Sequence, residues 1–432
     1  MKKRFALLMA LVLIAGLLTA CGANPDAQNS GSADGDVIKI GVFEPLTGAN
    51  ASGGELELRG IEIAHEMVGE VLGKKVELVT GDNKSDAVEA VTAAEYLVNS
   101  QNVDIILGTW GSSFAIAAGP VFKEAQVPAI GTSCTNVNVT LGNEYYFRVC
   151  FLDPFQGTIM ANYAYNVLGA RKAAIIYEVS NDYAVGLKKF FVEAFEGLGG
   201  TIVQEAMYNT GDQDFNAQIL SVKSANPDVI FAPGNYTESA LIMQQAGQMN
   251  YDVQFLGGDT WETDPLITVG GQYVEGCIFS TFFDADATIN EETTKFVTAY
   301  REKYNEDPAA VAALGYDAYM AAIKAFEAAG TTDGPAVQAA LAALKFDGCT
   351  GTISFDANGD AVKDLAVLKT VKDGKFTYID TAKLAEEATE DATAAVEDAA
   401  EGATEDANAA VEGAVDDANA AAESAAAEAA VG

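Results

Sequence analysis

The chain of 432 residues predicts an α/β protein built as two doubly wound lobes. Three observations carry that reading. The length exceeds what one ordinary hydrophobic core accommodates, so two domains are expected. From residue 37 to about residue 280, short β-rich runs alternate with longer amphipathic ones, the pattern of a parallel sheet covered by helices. The alternation also restarts after "YYFRVCFLDPFQG" (145–157), where Asp153-Pro154 interrupts the run.

The strand candidates are "VIKIGVF" (37–43), "KKVELVT" (74–80), "VDIILG" (103–108), "VPAIGT" (127–132), "KAAIIYE" (172–178), "TIVQEAMY" (201–208), "PDVIFAP" (227–233) and "YDVQFLGG" (251–258). Several carry an unbroken apolar run at their centre, as strands buried on both faces do. Helical patterns fall between them at 55–72, 86–100 and 216–225, and the stretch 290–345 is mostly helical. After it, "GTISFDANGDAVKDLAVLKTV" (351–371) reads as two strands around an Asn-Gly turn. Two such sheets in one chain leave a cleft between lobes, and ligands of these folds bind at the carboxyl ends of strands.

Both ends lie outside this body. The basic "MKKR" followed by the apolar "FALLMALVLIAGLL" is shorter than a membrane span and ends in "LTAC" (18–21). Those four residues resemble a bacterial lipobox. The leader, residues 1–20, is therefore expected to be cleaved and Cys21 to carry lipid, with a plain secretory signal as the alternative. Residues 21–36 read as a linker. The mature protein is then expected outside the cytoplasm, anchored to the cell membrane as a lipoprotein. At the other end, residues 384–432 repeat an Ala/Glu/Asp-rich unit, "ATEDATAAVEDAAEG" and "ATEDANAAVEGAVDD". With no large apolar residues to bury, this tail is expected to be disordered or partly helical.

Net charge is −37, and the tail's 14 acidic residues leave −23 on the rest. That balance argues against nucleic acid or an anionic lipid surface as partner. Cys134, Cys150, Cys277 and Cys349 show neither metal-site spacing nor a neighbouring histidine, so no metal or cofactor is expected, while bridges and free thiols both remain open.

Two strand ends hold the chemistry. "GTWGSS" (108–113) follows an apolar strand and opens a helix, putting Ser112 and Ser113 where unpaired amides and the helix dipole favour an anion. Read alone, either serine is equally an ordinary N-cap. One βα unit on, "VPAIGTSCT" (127–135) brings Thr132, Ser133 and Thr135 to the next strand end, where ordinary turn chemistry is the alternative. Neither loop has Lys or Arg, which suits a carboxylate held by neutral donors. In the second half, "FLGGDTW" (255–261) offers Asp259 for an ammonium, or as a helix cap.

"IGVFEPLTGANASGGELELRGIEIA", "GTWGSS", "GTSCTNVNVTLGNEYYFRV", "SNDYAVGL" and "FLGGDTW" together resemble the leucine/isoleucine/valine-binding protein family, in order and spacing, from about Val37 to about Asp380. These are type I periplasmic-type substrate-binding proteins of branched-chain amino-acid ABC transporters. The resemblance implies two α/β lobes joined by a three-segment hinge, with residues 37–152 and 284–362 as lobe I and 153–283 and 363–383 as lobe II. It implies that Ser112 and Ser113 receive a ligand carboxylate and that Thr135 contacts the zwitterion. It further assigns Ser133 and Asp259 to the ammonium, Tyr183 to a cover over the ligand, and Trp110 to the side-chain pocket. Tyr236, in "APGNY" (232–236), matches another tyrosine-bearing loop. The expected function is an extracytoplasmic solute-binding lipoprotein that captures an amino acid, branched-chain by default, and delivers it to an ABC transporter permease. The alternative is a ligand-sensing lipoprotein for amino acids or short amides coupled to a signalling partner.

Catalysis is not expected. His65 is the only histidine and sits in the first helical pattern, "TGANASGG" lacks dinucleotide spacing, and Asp82 reads as a turn residue.

Overall fold

The computed structural model describes residues 37–287 and 289–383. The leader, Cys21, the linker and the acidic tail lie outside the described residues. Within them the chain forms two large sheets and a small hairpin.

The first sheet takes β1 (Val37–Glu44), β2 (Glu70–Val71), β3 (Lys74–Asp82), β4 (Ile105–Leu107), β5 (Ala129–Gly131) and β6 (Tyr146–Arg148), in the order β2-β3-β1-β4-β5-β6. The strands β1, β4, β5 and β6 run parallel, with Ile40 opposite Ile105 and Ala129 opposite Tyr146. Alternate residues face opposite ways along a strand. Ile38, Ile40 and Val42 accordingly join one core cluster with α1 (Ala51–Met67), while Phe43 joins another with α2 (Ala87–Glu95) and α3 (Ser112–Ala125). Helices therefore cover both faces, as the apolar runs at the strand centres require.

The second sheet holds β7 (Lys172–Glu178), β8 (Thr201–Tyr208), β9 (Val229–Phe231), β10 (Gln254–Gly257) and β11 (Ile278–Thr281), parallel to one another. Its helices are α4 (Asp153–Asn162), α5 (Asp182–Gly197), α6 (Asn216–Ser224), α7 (Tyr236–Gln248) and α8 (Asp264–Gly270). Pro154 occupies the first turn of α4, where its missing N–H costs nothing. The interruption at Asp153-Pro154 is therefore a helix start.

The chain then returns to the first lobe with α9 (Glu291–Tyr304), α10 (Ala310–Ala329) and α11 (Gly334–Ala342). Helix α10 lies closely against α1. A Cβ on Gly60 would collide with the Ala312 carbonyl, and one on Gly315 with the Glu57 carbonyl, so only glycine permits this spacing. Three passages connect the lobes: residues 149–152, 282–290 and 355–365. The end of β6, just before the first passage, is tied to the third by a buried ion pair, Arg148 Nε to Asp360 Oδ1 at 2.5 Å.

Two expectations need correction. The first helix spans 51–67, not 55–72, because Gly69 ends the apolar stripe and Val71 pairs in β2. The 351–371 stretch is not a hairpin. Its turn, with Gly359 at φ +87°, closes a single bridge between Phe355 and Ala361. The flanking strands part company there: β13 (Gly351–Ser354) pairs with β12 (Lys345–Gly348), while β14 (Ala366–Lys372) enters the second sheet between β11 and β15 (Lys375–Ala382). The Asn-Gly signal is local and does not report that the chain changes lobes inside it.

Candidate functional site

The carboxyl ends of the two sheets flank a cavity of about 270 Å³, near the lower end of the roughly 300–1,000 Å³ usual for ligand sites. That is the scale of one small solute. Trp110, Ser112 and Ser113 after β4 and Ser133 after β5 line it from one lobe, and Tyr183 of α5 and Asp259 after β10 from the other. Six of the residues singled out in the sequence thus meet around one space. Thr135 and Tyr236 do not line it. Neither Lys, Arg nor His lines it either.

Ser112 and Ser113 are the first two residues of α3, so free amides of that helix end face the same space. The Ser112 hydroxyl oxygen accepts from the Asn136 backbone N–H at 3.1 Å, and that of Ser113 from the Asp182 N–H at 3.0 Å. Each hydroxyl keeps its own proton uncommitted, since acceptance uses only a lone pair. Both can donate to an anion in the cavity.

The Ser113 bond also crosses between lobes. So do the Asn136 Nδ2 bond to the Asp182 carbonyl, 2.7 Å, and the Tyr236 hydroxyl bond to the Ala49 carbonyl, 2.9 Å. The lobes are latched closed by these three contacts. Tyr236 therefore acts at the rim, with its ring 5.8 Å from that of Trp110.

Asp259 is buried, and its Oδ1 accepts from Gln156 Nε2 at 2.6 Å and from the Tyr183 hydroxyl at 3.1 Å. Both donors are neutral. Burial pushes its carboxyl up to about 7, with the two hydrogen bonds opposing the rise. Asp153, at the start of α4, rises to about 8 for the same reason, although the Thr135 hydroxyl beside it eases the shift. Neither Asp153 oxygen meets a donor in good geometry. Thr135 contributes chiefly through its backbone, whose carbonyl accepts the Asp153 N–H at 3.0 Å.

Arg148 comes near the site without entering it. Its Nη1 donates to the carbonyls of Cys134 at 2.8 Å and Asn136 at 2.5 Å, propping the 132–140 loop from behind. Trp110 packs closely against α1, where a Cβ on Gly53 would lie 2.6 Å from the indole. The sequence reading missed Asn50, Gln156 and Glu57. Asn50 is buried, lines the cavity and has no donor at its Oδ1. The four body cysteines are buried free thiols. Asp82 serves a turn, accepting from the Leu46 and Thr47 amides. Among the described residues, no group of three or more His, Cys, Asp and Glu is arranged to hold a metal ion, and no helix is long and apolar enough to cross a membrane.

Two sheet-bearing lobes, three connecting passages and a solute-sized cavity at the strand ends define a type I periplasmic binding protein. The comparisons place the chain further. It belongs to the periplasmic binding protein family, whose model matches residues 37–375, and within it to the group of the Leu/Ile/Val-binding proteins. An amino acid binding protein of Pseudomonas aeruginosa is 31% identical over 351 residues, covering 79% of this chain and 92% of the relative. The Leu/Ile/Val-binding protein homolog 1 of Brucella suis is 30% identical over 360 residues, 81% of this chain and 95% of the relative. Among solved structures, the leucine binding protein LivK of Thermotoga maritima is 40% identical with a TM-score of 0.78, covering 80% of this chain and 99% of that one. LivJ of Streptococcus pneumoniae, solved with isoleucine, is 32% identical with a TM-score of 0.76, covering 81% and 100%. The chain is a solute-binding protein of an extracytoplasmic family.

Proposed function

We propose that this protein captures a free amino acid, branched-chain by its family's default, between two closing lobes and delivers it to an ABC permease. Lipid on Cys21 would anchor it outside the cytoplasmic membrane. In this reading residues 37–152 with 284–362 and residues 153–283 with 363–383 move as two bodies, no chemical step follows binding, and neither metal nor cofactor is needed.

The polarity of the cavity carries the reading. Ser112 and Ser113 present two uncommitted hydroxyl protons and a helix amino end on one lobe, while the Asp259 carboxylate stands on the other with only neutral partners. A zwitterion fits both at once. Each of its charges leaves water on closure, which costs several kcal/mol per ion unless it is paired. The amino acid therefore binds the closed state far better than the open one and shifts the population toward it. Tyr183 orients Asp259 and covers the solute, and Tyr236 latches the rim.

Thermal unfolding against a panel of the common L-amino acids and short amides, followed by calorimetry, tests this. Branched-chain amino acids should raise the unfolding temperature most. A panel without effect, or equally tight binding of the same acids lacking their amino group, overturns it. Cys21→Ala should abolish incorporation of radiolabelled fatty acid, and retained label would remove the anchor.

A further inference from the structure

Ser133 differs from the serines of α3. Its hydroxyl donates to Oε1 of Glu57, and the neighbouring Thr132 hydroxyl donates to Oε2 of the same carboxyl. Glu57 is fully buried on α1, held by the close packing of α1 on α10. A serine hydroxyl has one proton. With that proton committed to Glu57, the Ser133 oxygen has only lone pairs for the cavity it lines.

Behind Glu57 stands a second buried carboxyl, Glu44, at the end of β1. Its Oε2 accepts the Trp110 backbone N–H at 2.9 Å. Its Oε1 has no donor. The Glu44 and Glu57 carboxyls are within hydrogen-bonding reach of one another. Two adjacent buried carboxylates cannot both stay ionised, and one proton between them satisfies the bare oxygen as well. Burial and then the charge of Glu57 push Glu44 well up; burial also raises Glu57, to about 7, but there the hydrogen bonds with Glu44, Ser133 and Thr132 oppose the rise. The proton therefore belongs on Glu44, which donates to an ionised Glu57.

We propose that Glu57, supported by protonated Glu44, is a positioning residue that turns the Ser133 hydroxyl into an obligate acceptor and so fixes the end of the cavity at which a ligand ammonium is received. Ser112 and Ser113 donate, Ser133 accepts, and one carboxylate charge sits directly beneath it. The pair also grips both ligand-bearing loops, through Trp110 after β4 and through Thr132 and Ser133 after β5. This rests on the amino-acid reading above and adds to it the direction in which the solute lies.

The test uses the full chain with two variants. In Glu57→Gln the amide nitrogen must donate to one of the two hydroxyls and frees its proton. The probes are the common L-amino acids, with the tightest binder compared against the same acid lacking its α-amino group. Glu57→Gln should weaken the amino acid by ten- to a hundredfold, the range for a charge-assisted hydrogen bond, while the desamino acid binds no worse. Glu44→Gln, the conservative replacement, preserves a donor toward Glu57 and should cost the amino acid several-fold less affinity than Glu57→Gln does. Equal losses for both probes in Glu57→Gln, or a loss in Glu44→Gln as large as that in Glu57→Gln, overturn the proposal while leaving the amino-acid reading intact. If Glu57→Gln fails to fold, Glu44→Gln alone still decides the proton's place. A wild-type protein that binds none of the panel overturns both.

Discussion

Asp259→Asn is the sharpest perturbation of the site. Burial lifts the Asp259 carboxyl from the usual carboxylate range to about 7, and a rise of roughly three units disfavours its charged form by about 4 kcal/mol at ~1.4 kcal/mol per unit. In the empty cavity Gln156, the Tyr183 hydroxyl and the backbone of Asp259 itself oppose that cost without a counter-charge. An incoming ammonium removes it, and asparagine cannot reproduce that because it keeps the shape and loses the charge. Leaving the ammonium buried without its counter-ion should cost about 3–5 kcal/mol, or roughly two to three and a half decades in Kd. Titration calorimetry near pH 8 measures this, where wild-type Asp259 is largely ionised. The ligand-free variant should unfold at the same temperature as wild type or higher, because the substitution deletes a buried unpaired charge. Affinity within about threefold of wild type would mean that the ammonium lies elsewhere. A large drop in the unfolding temperature of the empty variant would mean that Asp259 is held for the fold and not for the solute.

Ser112→Ala should weaken the amino acid by about 1.5–3 kcal/mol, ten- to a hundredfold, the range for hydrogen bonds to charged groups; unchanged calorimetric affinity removes Ser112 from the site. Gly53→Ala should drive the Trp110 indole toward the cavity, since the new Cβ would start 2.6 Å from the ring. Affinity for leucine should then fall more than affinity for alanine, and an equal loss for both would place Trp110 away from the side-chain pocket. The ligand-free protein should also lose stability as pH rises from about 5 to about 8. Asp153 and Asp259 titrate near 8 and 7 when folded, against about 4 when unfolded, so the folded state holds protons that the unfolded state has released. The stabilisation is complete below the unfolded value and is lost as pH passes the folded ones. Saturating amino acid should recover part of the loss by pairing Asp259, and a melting temperature that is flat across this window with and without ligand contradicts the assignment.

Much of the architecture is legible because its strands leave a strong record. "IILG" (105–108) is an unbroken apolar run, and Ile105, Ile106 and Leu107 are indeed buried, alternating between the two core clusters. Two strands escape that reading. Tyr146–Arg148 and Ile278–Thr281 are about as short as β4 but end in Arg148 and in Ser280-Thr281, so they leave no unbroken apolar run, and their pairing is set by neighbours distant in sequence. The 351–371 stretch fails for a related reason: a turn signal specifies a reversal over a few residues, and the lobe that β14 joins is decided by its partners β11 and β15.

The site was legible as residue types at strand ends, but not as donors and acceptors. Ser112, Ser113 and Ser133 are identical in sequence, and each has one proton and two lone pairs. Their difference comes from what stands behind them: backbone N–H groups occupy the lone pairs of the first two, and a carboxylate takes the proton of the third. The sequence does hold a trace of this. Glu57 shares a helix face with Gly53, Gly60, Ile61 and Ala64 at three- and four-residue spacing, all buried. A glutamate on an apolar stripe must be paired or protonated, so it marks a polar device inside the core. What remains invisible is its partner, because Glu44 closes a strand and Glu57 rides a helix, and only the packing of α1 over the ends of β1 and β5 brings the two carboxyls and the two hydroxyls together. The polarity of the cavity is thus a tertiary property. It follows that exchanging Ser133 for threonine should be tolerated as long as Glu57 stays ionised, whereas changing Glu57 reverses the role of a residue that has not itself been altered.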